Sequence, residues 1–286
     1  MKTHPLAFFP LSLLPLVLAA LALAAGAPPP RCDATAPCEI ASGRYFVRAP
    51  AGWDGRTTLP VVVFFHGYRS SAAETMADAA LGEALSKAGI LLAAADGKGG
   101  SWTIAGRLAT GRDDIAYTRD VHADLRRRFP VDERRLVAAG FSAGGFMVWQ
   151  LACAAGDLFA AYAPMSGAFL DPIPETCPTG PASLRHIHGT ADATVPMAGR
   201  WIAGGRVRQS DVRQSVARLG AIDGCPATAP ETIRRGELTC DVWPAASCAS
   251  GREVELCLHA GGHAFNPDWV MESVDWTAHL PPAEKR

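Results

Sequence analysis

Gly140-Phe141-Ser142-Ala143-Gly144 has the G-x-S-x-G spacing that an activated serine needs, and it is the sharpest chemical signal in the 286-residue chain. A serine hydroxyl is a weak nucleophile until a base takes its proton, so the pattern gains meaning only with a histidine and an orienting carboxylate. Both follow in order. Asp192 ends the run His188-Gly189-Thr190-Ala191-Asp192 after apolar residues, and His263 closes Gly261-Gly262-His263, where paired glycines let a loop carry the imidazole back over a sheet. Ser, then Asp, then His is the chain order expected of a nucleophile elbow. Asp171, which follows the preceding apolar run, is the alternative acid, with Asp223 behind it. The competing reading of Ser142 is a plain helix cap.

Acyl transfer also needs hydrogen-bond donors for an oxyanion. The backbone N–H of Ala143, next to the serine, is one candidate; that of Tyr68, in His66-Gly67-Tyr68 after a buried run, is the other. Tyr68, Trp102, Phe141 and Trp201 are candidates for the apolar wall of a substrate pocket, although each fits ordinary core packing too. His186 and His188 with Asp192 form a loose metal-like pattern without a second histidine pair, so no metal is expected. His259 reads as a core or surface residue at a strand end, and His122 as a helical residue facing solvent.

These groups need elements to hold them. Leu59 to Phe65 is almost wholly Val and Phe, as a strand buried on both faces should be. Further strands are expected at Arg44 to Val47, Gly89 to Ala95, Arg135 to Ala139, Phe159 to Met165, Leu184 to Ile187 and Glu253 to His259. Helices are expected at Ala72 to Lys87, from an Asp113 or Asp114 cap to Pro130, at Ala143 to Ala155, and after Pro267. Strands alternating with helices predict an α/β fold, a mainly parallel sheet with helices on both faces in a three-layer sandwich, whose chemistry sits at the carboxyl ends of the strands. Gly220 to Gly251, rich in Cys, Pro, Ala and Thr, reads as a long stapled excursion.

Whole-chain properties limit the partners. Lys plus Arg number 27 against 28 Asp plus Glu, which predicts neither nucleic acid nor an anionic membrane as partner. Lys2 followed by an apolar run to Ala25 and then Pro28-Pro29-Pro30 has the pattern of a signal peptide over residues 1–27. One catalytic domain, 28–286, is then expected, in the periplasm or outside the cell and free of the membrane after processing. Its oligomeric state is left open. All eight cysteines follow that segment, an even number suited to disulfides in an oxidising compartment. Cys32 with Cys38, Cys153 with Cys177, Cys225 with Cys248 and Cys240 with Cys257 is one plausible set out of many, and no Cys-x-x-Cys spacing supports zinc.

The ordered set Leu59-Pro60-Val61-Val62-Val63 into His66-Gly67, Asp113-Asp114, Arg128-Phe129-Pro130, Gly140 to Gly145, Leu151-Ala152-Cys153, His188 to Asp192 and Gly261 to His263 resembles secreted esterases of the polyhydroxybutyrate depolymerase-like and feruloyl esterase-like family. The resemblance spans roughly Leu59 to Trp276. It implies an α/β-hydrolase fold, a triad of Ser142, Asp192 and His263 working through an acyl-enzyme, and no metal or organic cofactor. Short polyester, feruloyl or acetyl esters, small or oligomeric, are the substrates it implies. Ala264-Phe265-Asn266 departs from the Thr-Trp-Pro that often follows the histidine, and Tyr68 from a frequent Cys, so the choice of ester stays open. A secreted serine peptidase of the same fold and a noncatalytic envelope-binding protein are the rival readings.

Overall fold

The computed structural model describes Met1 and residues 32–105 and 107–281. Apart from Met1, the segment read as a signal lies outside the described residues. The strands in chain order are β1 (Cys38–Ile40), β2 (Gly43–Arg48), β3 (Leu59–Phe65), β4 (Leu91–Ala95), β5 (Val131–Phe141), β6 (Ala161–Met165), β7 (Leu184–Gly189), β8 (Trp201–Ile202), β9 (Val207–Arg208), β10 (Glu231–Arg235), β11 (Leu238–Trp243) and β12 (Val254–His259). The α-helices are α1 (Ala72–Ala77), α2 (Ala79–Lys87), α3 (Asp114–Arg128), α4 (Ala143–Ala154), α5 (Val212–Ile222) and α6 (Pro267–Trp276).

Ten strands make one sheet in the order β1-β2-β4-β3-β5-β6-β7-β12-β11-β10, and β8 pairs with β9 apart from it. The centre, β4 through β12, is parallel, while β2 joins β4, and β11 joins β12, antiparallel. Pleating divides β3 between two cores. Val61, Val63 and Phe65 face a layer with Tyr117 and Val121 of α3, Trp149 of α4 and Val216 of α5. Val62 and Phe64 face Met76 of α1, Leu85 of α2 and Val270 of α6. Each such valine, with no exposure, contributes about 1.5–3 kcal/mol by leaving water. This is the expected three-layer sandwich, and its strand order and crossovers are those of the α/β-hydrolase fold.

Three expectations change. The helix expected over Ala72 to Lys87 breaks at Asp78, whose N–H closes α1 on Glu74 O while its carboxylate accepts from Leu81 N to open α2. Gly220 to Gly251 is more than an excursion: it holds β10 and β11, an antiparallel hairpin that widens the sheet. His122 does not face solvent; it is buried on α3, edge-on to Phe159, because α3 turns that side toward the residues after α4.

The sulfurs pair as Cys32–Cys38, Cys153–Cys177, Cys225–Cys248 and Cys240–Cys257, with no free cysteine among the described residues. Cys240 stands directly opposite Cys257 in the β11–β12 register, which brings their side chains within bonding reach.

Candidate active site

Ser142 occupies the turn between β5 and α4 with φ 56° and ψ −117°, a backbone conformation few side chains tolerate. The turn survives because its neighbours have no side chains. A Cβ on Gly144 would lie 1.8 Å from Phe65 O, and one on Gly140 would lie 2.5 Å from Gly144 O. Ser142 N–H donates to Met165 O at 3.0 Å, tying the elbow to β6, and its carbonyl accepts from Phe146 to start α4. Its hydroxyl makes no cap bond to the helix, so the capping reading fails.

Asp192 and His263 come from loops after β7 and β12, which are parallel neighbours. The loops are laced together: Thr190 N–H donates to His259 O and Ala191 N–H to Gly261 O. Asp192 Oδ1 accepts from the N–H groups of Thr194 and Val195, both at 2.8 Å, which leaves Oδ2 to meet His263 Nδ1 at 2.7 Å. With the carboxylate buried, that contact holds the proton on Nδ1 and keeps Nε2 as the basic nitrogen. The Phe141 ring lies 4.7 Å from the imidazole, so His263 sits over the elbow.

Asp171 is committed elsewhere. It pairs with Arg208 and accepts from Ser210 Oγ at 2.6 Å, away from any histidine contact. Asp223 is buried near the Cys225 staple, with its carboxyl pushed up to about 7 by burial.

A buried wire behind Asp192 escaped the sequence reading. Trp149 Nε1–H donates to His186 Nδ1 (3.3 Å), His186 Nε2 meets His188 Nδ1 (2.9 Å), and His188 Nε2 meets Val195 O (2.8 Å). Pro164 O also lies 2.9 Å from His186 Nδ1. A proton there would reverse the wire and leave the His188 Nε2 lone pair facing Val195 O and, at 3.7 Å, Asp192. Either direction sets one pair of acceptors face to face, His186 Nδ1 with Pro164 O in the forward one and His188 Nε2 with Val195 O in the reverse one. Burial holds both rings below the usual histidine range, which keeps them neutral. The H-x-H spacing thus marks a brace for the Asp192 loop. Among the described residues, the clustered metal-type side chains are Cys240, Glu255 and Cys257, and both sulfurs are in a disulfide.

His66 governs the other loop. Gly97 N–H donates to its Nε2 at 2.9 Å and its Nδ1 meets Gly67 O at 2.8 Å, which assigns a neutral Nδ1–H ring whose pKa burial lowers. Trp102 has no exposure and donates its indole N–H to His66 O at 2.9 Å, so it props the loop, and it also belongs to the wall of a cavity beside Tyr68. Tyr68 and Trp201 are exposed, Phe141 is half-buried, and Ala143 begins α4, where its N–H has no intrahelical acceptor. Phe265, in the segment that departs from the family, packs on Phe64 and Phe141, while Asn266 caps α6. His259, buried against Trp269, accepts from Gly261 N–H and so supports the His263 loop.

An elbow serine on a parallel sheet, with a paired histidine and aspartate on the loops after the last two parallel strands, defines an α/β-hydrolase. Comparison with known proteins agrees. A model of the prolyl oligopeptidase family matches residues 80–171, which include the elbow but not Asp192 or His263. The chain is 30% identical over 240 residues to the putative esterase NocK of Nocardia uniformis subsp. tsuyamanensis, covering 76% of this chain and 67% of that protein. It is 27% identical over 232 residues to feruloyl esterase B of Piromyces equi, covering 77% of this chain but 42% of that protein. In fold it is similar to the acetyl xylan esterase from Aspergillus awamori, with a TM-score of 0.58 at 13% identity over 82% of this chain and 93% of that one. The chain belongs to the esterase family of the first relative, a feruloyl esterase-like branch of the α/β-hydrolases, and is a carboxylic ester hydrolase.

Proposed function

We propose that the chain hydrolyses esters through Ser142, His263 and Asp192. The observation that carries this reading is the His263 Nδ1 to Asp192 Oδ2 contact of 2.7 Å beside the strained Ser142 turn. His263 Nε2 takes the Ser142 proton as Oγ attacks the ester carbonyl, then returns it to the leaving alcohol, and water repeats the cycle on the acyl-enzyme. The N–H groups of Ala143 and Tyr68 receive the oxyanion, and Gly67 leaves open the space beside Ser142 that a Cβ, 3.7 Å from Ser142 Cβ, would fill.

Short polyester, feruloyl and acetyl esters are the substrate classes proposed. The names of the relatives and the half-open, aromatic surroundings of Phe141 and Tyr68 support them. We place the enzyme outside the cytoplasm as a single catalytic domain over 28–286, a reading supported by four disulfides and by the apolar segment at residues 1–27. No described helix is long and apolar enough to cross a membrane.

A fluorophosphonate probe should label Ser142, and Ser142→Ala should abolish labelling and lower ester turnover by orders of magnitude in a folded protein. An alanine variant with parental activity would sink the serine mechanism. The prolyl oligopeptidase match raises peptide hydrolysis as a second reading. Peptidyl p-nitroanilides cleaved faster than p-nitrophenyl esters of equal size would favour it.

A further inference from the structure

Beside the oxyanion loop lies a cavity of about 910 Å³, whose wall includes Tyr68, Trp102 and Val207 and three cations, Lys98, Arg107 and Arg206. No carboxylate stands on that wall. All three cations are exposed, and among the described residues none takes part in an ion pair. Their hydrogen bonds leave donors over: Lys98 Nζ reaches Gly111 O at 3.3 Å, and Arg206 uses only Nε, on Ala203 O at 2.9 Å. The Arg206 fork therefore keeps both terminal nitrogens for a bidentate partner. Nearby carboxylates are already engaged, Asp171 with Arg208 and Ser210, Asp96 with Arg44, and Asp114 with Arg112.

Three like charges on a wall that also carries Ser101 and Thr110 repel one another, Asp171 outside the wall offsets part of the Arg107 charge, and a concave wall concentrates the remaining field. Tyr68 joins this wall to the nucleophile, because Gly67, the residue before it, lies against Ser142. We propose that this cavity is a subsite for a carboxylate carried by the ester substrate. The proposal rests on the esterase reading of Ser142 and deepens it, since it sets the charge of the preferred substrate. The carboxylate belongs either to the acyl part, as in a hemiester of a dicarboxylic acid, or to the alcohol part, as in an acylated hydroxy acid.

Two matched pairs separate these sources: p-nitrophenyl hemiglutarate against p-nitrophenyl valerate for the acyl side, and β-acetoxybutyrate against β-acetoxybutyramide for the alcohol side. At low ionic strength kcat/KM should favour the anionic member of one pair by about tenfold, as two exposed ion pairs would give. The preference should reside mainly in KM and fade toward about 1 M salt. Arg107→Gln with Arg206→Gln should bring the ratio close to one, and Arg206→Glu should reverse it. Hydrolysis with no charge preference in either pair, or a preference that survives the double variant, would overturn the subsite alone. Failure to hydrolyse any member would overturn the esterase reading and the subsite with it.

Discussion

Phe141 and His263 lie ring on ring, with centroids 4.7 Å apart and planes tilted by 38°, so the residue before Ser142 forms the floor under the imidazole. Asp192 fixes that ring along one edge only. The floor limits its remaining rotation.

Phe141→Ala should therefore lower kcat on a small ester by about ten- to a hundredfold through lost orientation. KM should move much less, and Phe141→Tyr should restore most of the rate. Steady-state kinetics on the three proteins will check this, and an unchanged kcat in the alanine variant would show that the floor is dispensable.

The acid is tested by a pair of isosteric changes. Asp192→Asn keeps shape but offers a donor where His263 Nδ1–H needs an acceptor, so turnover should fall by about 10⁴. Asp171→Asn breaks contacts to Arg208 and Ser210 instead, and turnover should stay within about tenfold of the parent. Circular dichroism will confirm that both remain folded. The opposite ranking of rates would move the acid to the loop after β6.

His186→Phe cuts the buried wire and strands two polar groups, the Trp149 indole N–H and His188 Nδ1. Each costs about 1–3 kcal/mol when buried and unpaired, so thermal or urea unfolding should show a loss of about 2–4 kcal/mol. Because His188 holds Val195 in the Asp192 loop, kcat should fall too, and more steeply than KM rises. A variant as stable as its parent would show that the wire carries no weight.

Asp223 gives the pH dependence a sign. Burial raises its carboxyl to about 7 in the fold, against about 3.9 in an unfolded chain. Between those values the folded state binds the extra proton, so this group lowers stability as pH rises from about 4 to 7 and then levels off. Asp223→Asn, neutral throughout, should gain on the parent across that window and keep a constant lead above it. Melting temperatures measured from pH 4 to pH 8 will show this, and parallel curves would refute the shift.

Much of the site was legible because its constraints are local. The elbow announces itself by glycines flanking Ser142, and a loop after an apolar strand announces Asp192. Tertiary context decided the rest. Glu231 to Arg235 forms an edge strand with mostly polar side chains, so no apolar alternation marks β10. Asp78 stands inside a helical run and looks like a tolerated polar residue, yet it caps one helix while ending another. Trp102 reads in the sequence as a candidate pocket residue, and only the position of His66 O shows that its indole also props a carbonyl. Likewise, the H-x-H spacing on a strand points both rings to one face, but nothing in the sequence says that Trp149 and Val195 wait at its two ends.

The pairing of the sulfurs also divides the chain by the order of its synthesis. Cys32–Cys38 and Cys153–Cys177 join each cysteine to the next one made, so both can close in sequence as the polypeptide emerges. The last four cannot: Cys225–Cys248 and Cys240–Cys257 interleave, and oxidation in order of appearance would join Cys225 to Cys240 and Cys248 to Cys257 instead. Escape from that arrangement requires thiol attack on a formed disulfide and reshuffling through mixed intermediates. Oxidising conditions alone are thus a poor recipe for making this protein. A host that supplies a disulfide isomerase should yield active enzyme where a merely oxidising one accumulates a scrambled C-terminal third.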